Sequence, residues 1–281
     1  MSEARTLILG AIAGMTILFG LPVGRLRRPM PGLRQFLNAV AIGILVFLIW
    51  DVLSHAYAPI DAALSNLHDH KAGMWPVMGY GALFFAGIGV GLVGLVYYER
   101  FLARRPERFG PGAMAAGELT ARRWGVAGWS PARRLSLLIA VGIGLHNFGE
   151  GLAIGTSAAR GEISLATLLI IGFALHNATE GFGIVAPLAA ESDRPSWGFL
   201  AAMGLIGGGP TFLGTLVGHQ FTSDALSVVF LTLAAGSILY VVIQLLGVAR
   251  KVGRAELLMW GVFVGLVAGF VTDMVVSAAG A

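Results

Sequence analysis

The chain has 281 residues, 56% of them hydrophobic and only 12% charged, with a mean hydropathy of +0.79. A soluble globular domain carries about 25% charged residues, so a soluble fold is excluded and the composition is that of an integral membrane protein. Nineteen basic against 15 acidic residues leave a net charge of +4, and the absence of cysteine rules out disulfides, thiolate metal sites and thiol catalysis.

A membrane-crossing helix needs about 20 mostly apolar residues. The first candidate, about 6–24, follows a head that carries Glu3 as well as Arg5. It is long enough to span, so it reads as a helix of the mature protein rather than a cleaved signal. The second runs over 36–58 and the third over 77–98. The connection 99–134 follows, rich in Arg, Gly and Pro and without periodicity, and reads as a cytoplasmic linker. The remaining spans are 135–159, 163–190, 197–218, 225–249 and 257–279, joined by short turns. None alternates with period two, so eight helices in a single transmembrane domain, residues 1–281, is the expected organisation. Many of the 41 glycines fall inside these spans, which suits close helix packing through small residues.

Sixteen of the 19 basic residues fall on one side when the loops are numbered alternately: Arg25 to Arg34, eight arginines from Arg100 to Arg134, Arg194, and Arg250 to Arg254. The other side holds Arg5, Lys71 and Arg160. Positive residues gather on the cytoplasmic side, which places both termini outside, in the cell membrane. Topology accounts for the arginine-rich connection without a nucleic-acid or headgroup site, and no nucleic-acid partner is expected. The bilayer is the expected partner; a homodimer is compatible with the sequence, which does not set the oligomeric state.

A charge at the bilayer centre costs about 2.5–3.5 kcal/mol on the insertion scale, so each one requires a reason. Of the acids, only Asp51, Glu150, Glu180 and Asp273 fall well inside the spans; of the six histidines, His146 and His176 are deep and His55 lies toward an end. Two of these clusters are duplicates. "LHNFGEGLAIG" (145–155) and "LHNATEGFGIV" (175–185) each carry His and Glu at i, i+4, with Asn bordering the same helix face. Each lies at the middle of its span, and the two spans run in opposite directions. If the faces meet, two imidazoles, two carboxylates and two amide oxygens converge, a ligand set suited to Zn²⁺ and its first-row neighbours. An interhelical hydrogen-bond network and a metal-free proton relay are the competing readings.

These motifs resemble the ZIP family of divalent-metal transporters, whose fourth and fifth helices carry related His-Asn-Glu patterns. Eight spans, the long third connection and external termini fit that family as well. The resemblance implies an all-α, eight-helix 3+2+3 bundle in which spans one to three and six to eight form inverted repeats around spans four and five. It implies transport of Zn²⁺ or a related divalent cation toward the cytoplasm, with the ion as bound substrate and no cofactor. Its ligands would be His146, Asn147, Glu150, His176, Asn177 and Glu180. Gly149 and Thr179 stand where the family places prolines, and Gly209 of "IGGGPTFLG" stands where relatives often carry a glutamate before the proline, so one bound ion is expected rather than two.

Outside the motifs, Asp51 and His55 of "WDVLSHAYAPIDAAL" form another i, i+4 pair, read either as an entry or exit ligand station or, for Asp51, as a helix cap or partner of a polar group. Asp273 lacks a histidine partner and reads as a structural hydrogen-bonding residue. Gln244 and the dispersed methionines read as packing, and the loop cluster His68, Asp69, His70 as a solvated segment near the mouth. An intramembrane zinc-dependent hydrolase is the rival from another class. No HE-x-x-H pair is present, and the two motifs look like equal partners rather than a base and its ligands.

Overall fold

A backbone in hydrocarbon must satisfy its own hydrogen bonds, and helices do so within one segment. The computed structural model describes residues 2–26, 31–103, 126–161, 163–191, 193–221, 223–251 and 253–278, and no strand occurs among them. Eight α-helices form among the described residues: α1 Glu3–Met15, α2 Pro31–His68, α3 Trp75–Ala103, α4 Pro131–Ala159, α5 Ile163–Val185, α6 Trp197–Gln220, α7 Asp224–Lys251 and α8 Ala255–Ala278. The eight expected spans are therefore present as helices, long and apolar enough to cross a membrane. Residues 104–125 of the arginine-rich connection lie outside the described residues.

Three ends differ from the sequence expectation, each for a local reason. The first span is α-helical only to Met15 and continues as 3-10 turns over Thr16–Phe19 and Leu21–Arg25. Thr16 Oγ1 lies 2.7 Å from the carbonyl oxygens of both Ala13 and Ala174, and such side-chain competition bends helices. The second span runs ten residues past its expected end, through Pro59. Proline deprives the His55 carbonyl of its helical donor; both residues line a cavity, where an interrupted ladder is tolerated. The fifth span gives way at Ala186 to a 3-10 turn containing Pro187.

Glycine determines which helices touch. A Cβ on Gly151 or Gly155 of α4 would collide with the α6 carbonyls of Thr211 and Thr215, and one on Gly214 or Gly218 would collide with α4. Gly14 of α1 meets Gly208 of α6, and Gly20 meets Gly181 of α5. Helices α1, α4, α5 and α6 are thus held backbone to backbone. A second group forms in the same way: Gly43 and Gly265 join α2 to α8, and Gly91 and Gly236 join α3 to α7. α7 also packs along α2. Where α4 faces α7 across the boundary, side chains come nearest instead: a Cβ on Gly142 would lie 3.2 Å from Val241 and one on Gly149 2.9 Å from the end of Leu231.

The contacts repeat under the exchange of α1 with α6, α2 with α7, α3 with α8 and α4 with α5. The α2–α8 packing is matched by α3–α7, and the α4–α6 packing by α5–α1. This is the pairing an inverted 3+2+3 repeat requires. The main core fills the arginine-rich half of the bundle, with Ile139, Ile143, Ile184, Met203, Ile238 and Leu45 at its centre. The opposite half, at the arginine-poor end, contains a cavity of about 560 Å³ between the two groups.

Candidate metal centre

The duplicated triplets face each other at the floor of that cavity. The i, i+4 spacing on α4 brings His146 Nε2 to 3.0 Å from Glu150 Oε1. Across the helix pair, His176 Nε2 contacts the same carboxylate oxygen. Glu180 Oε1 lies 4.0 Å from His146 Nε2. One donor atom from each of His146, Glu150 and His176 lies within 4.8 Å of the others. The imidazoles stack with centroids 6.0 Å apart, and Phe173 packs edge-on against His176 at 5.5 Å.

Burial makes these polar groups costly unless something pairs with them. His146, Glu150 and Glu180 are almost fully buried. Both carboxylate oxygens of Glu180 and Nδ1 of His146 lack a hydrogen-bond partner, while His146 Nε2 meets Glu150 only as the 3.0 Å ion-pair contact. Most buried side-chain polar atoms in proteins have such a partner, so an exception calls for an explanation. Glu150, by contrast, is held by both histidines and receives a 3.4 Å hydrogen bond from Asn177 Nδ2.

The asparagines have a second role that sequence spacing does not reveal. Asn147 Nδ2 donates to the Gly207 carbonyl of α6 at 3.0 Å, in the turn preceding Pro210. Asn177 Nδ2 donates to the Ala13 carbonyl of α1 at 3.2 Å, just before α1 turns 3-10. Each motif is thus tied through its amide to a helix of its own group, near Pro210 in α6 and near the 3-10 end of α1. Both Oδ1 atoms are buried without a partner and remain available as ligands. The motif glycines serve close packing as expected, but mainly toward α6 and α1.

Asp51 and His55 line the same cavity above this floor, outside the His146–Glu150–His176 cluster. His55 Nδ1 lies 2.9 Å from the Asp51 backbone carbonyl, so Nδ1–H is the donor and Nε2 is left with its lone pair. Three charged residues that sequence reasoning did not assign to the path also line the wall: Asp273 of α8, and Arg160 and Asp224, which face each other at 3.9 Å at the mouth. An acid inside the last span, near its arginine-poor end and level with Asp51, was the available signal for Asp273. The 68–70 cluster does not line the cavity, and Asp69 there pairs with Lys71 at 2.8 Å. Gly209 is half-buried, and the direction of its missing side chain meets only Leu205 of its own helix, at 3.4 Å.

A family model described as ZIP Zinc transporter matches residues 127–270, just over half of the chain and inclusive of both motifs. No curated protein matches the chain by sequence.

Proposed function

The chain belongs to the ZIP zinc transporter family, and on that premise we propose that it carries Zn²⁺ or a closely similar divalent cation inward through the cavity and its polar floor. Membership makes it a multi-pass membrane protein that transports metal cations. The finer reading assigns His146, Glu150, His176 and Glu180 as ligands of the transported ion, with Asn147 and Asn177 as adjacent oxygen donors. Asp51 and His55, with Asp273 across from them, form an outer station on the approach.

The observation that carries this reading is the unpaired Glu180 carboxylate beside the His146–Glu150–His176 cluster. Two carboxylates and two neutral imidazoles balance a dication. They also replace its water with the nitrogen and oxygen ligands that Zn²⁺ accepts. Mixed ligands of this kind bind strongly enough to strip water and weakly enough to release.

The packing supports a route as well. The cavity reaches the floor from the arginine-poor end, which the charge asymmetry makes the outside. Beneath the floor lies the packed hydrophobic core. The α1–α4–α5–α6 group carries the cluster and meets the other group mainly through side chains. Displacement of one group against the other would close the mouth and open the opposite end, in the manner of transporters with sites at a repeat boundary.

The test is zinc uptake into proteoliposomes by Glu150→Ala and Glu180→Ala variants that insert and remain folded. Both are expected to lose saturable uptake. Near-normal flux in either variant refutes the assignment of the ligands.

A further inference from the structure

At the closed end of the seam, two buried amides have no role in the cation cluster. Asn38 of α2 is 7% exposed and Gln35, one turn nearer the arginine-rich surface, is 5% exposed; the side-chain carbonyl oxygen of each lacks a partner. The other end of Gln35 is accounted for, since Nε2 donates to the Arg254 carbonyl at 3.2 Å and ties α2 to the turn before α8. Asn38 instead lines a small cavity of about 20 Å³ with Val23, Gly24, Phe182, Val185 and Ala186. That volume is roughly one water molecule, since a water needs about 10–15 Å³ by the same measure.

The place of this cavity is more telling than its size. Its walls come from both packing groups: α2 on one side, and the ends of the first and fifth spans on the other. Gly183, one turn beyond Glu180, faces Ala41, one turn beyond Asn38: a Cβ placed on Gly183 would lie 3.7 Å from that of Ala41. α2 and α5 run antiparallel, so Asn38 lies level with Ala186, about 9 Å below Glu180 at 1.5 Å per residue. At that level α5 becomes a 3-10 turn, and Pro187 has no N–H to donate to the Gly183 carbonyl. Asn38 and the end of α5 therefore meet at one small cavity, farther along α5 than Glu180 and apart from the large cavity.

We propose that Asn38 is a release station for the divalent cation: when the seam parts, its Oδ1 and the carbonyls at the end of α5 receive the ion leaving the floor and pass it toward Gln35. The proposal rests on the reading of His146, Glu150, His176 and Glu180 as ligands. A neutral oxygen holds a dication far less tightly than paired carboxylates and imidazoles, which suits a site that must release its ion.

The test combines turnover, binding and accessibility in the full-length protein. Asn38→Leu keeps the size of the side chain and removes its oxygen. It is expected to lower maximal zinc uptake about tenfold with zinc affinity in detergent unchanged, the pattern of a lost interaction made only during passage. Its melting temperature should not fall, whereas a purely structural asparagine would lower stability and leave turnover per folded molecule intact. The chain has no cysteine, so Asn38→Cys alone should react with an impermeant thiol reagent from the arginine-rich side, faster while zinc is flowing. Turnover of Asn38→Leu within twofold of the wild type, or no labelling of Asn38→Cys during transport, overturns the release station. Glu150→Ala measured in parallel separates the two readings. Lost uptake there with normal Asn38→Leu defeats only the release station, and normal uptake in Glu150→Ala defeats the ligand assignment itself.

Discussion

Replacing Glu180 by glutamine should weaken zinc binding without destabilising the metal-free protein. The two carboxylate oxygens are buried and accept no hydrogen bond, with His146 Nε2 4.0 Å away. Without an ion, the charge gains little from its surroundings, and a neutral amide of the same shape removes the cost of burying it. With an ion bound, the same change removes one partner of a buried charge pair, a loss of about 3–5 kcal/mol or roughly 100- to several-thousand-fold in affinity. The assay is the thermal shift produced by zinc. At 100 times its Kd, zinc stabilises the wild type by about 2.7 kcal/mol; a variant weakened about a hundredfold gains only about 0.4 kcal/mol at the same concentration. The expected pair of results is an unchanged or raised metal-free melting temperature together with a nearly abolished zinc shift. A full zinc shift in the variant, or a lowered metal-free melting temperature with normal affinity, would show that Glu180 is structural.

The packing makes a paired prediction on either side of Glu150. Gly151→Ala places a methyl against the backbone of α6 and should lower the melting temperature markedly, whereas Gly149→Ala meets only the movable end of Leu231 and should fold normally; equal losses would contradict the two-group packing. For orientation, a cysteine at Ser65, exposed near the end of α2, should react with an impermeant reagent outside sealed cells, and one at Ala115 should not. Labelling of both would reverse or void the topology. For stoichiometry, anomalous scattering from zinc- or cadmium-soaked crystals should give one strong peak between α4 and α5. Two strong peaks about 3.5–4 Å apart, the spacing of a two-metal centre, would refute the single-ion reading.

The spans and the facing triplets were legible because both depend on period and polarity alone. An apolar run of bilayer length has one backbone solution, and His, Asn and Glu at i, i+1 and i+4 share one helical face whatever the tertiary context. The breaks were not legible. Thr16 ends α1 through a contact with the Ala174 carbonyl, 158 residues away in sequence, and no local pattern carries that information. Pro59 reads as a helix stop, yet α2 passes through it, because the carbonyl it deprives lies on a cavity wall. Asp273 looked solitary because its neighbours in the cavity come from α2, more than 200 positions earlier.

The duplicated motif ends up performing two unlike tasks, and the reason is geometric. A twofold exchange of α4 and α5 would give each glutamate the same surroundings, yet Glu150 engages both histidines and Asn177, while Glu180 engages none of them closely. Each imidazole has a limited number of donors, and both Nε2 atoms are drawn to one carboxylate, so the second carboxylate goes without. On the proposed assignment, Glu150 would keep the rings aligned before the ion arrives, and Glu180, which accepts no hydrogen bond and lies 4.0 Å from His146, would be left for the ion. The asparagine amides fix the assembly to α6 near Pro210 and to α1 near its 3-10 end. On the proposed reading, a shift of α4 and α5 on loading would be passed to α1 and α6, the helices that share their group.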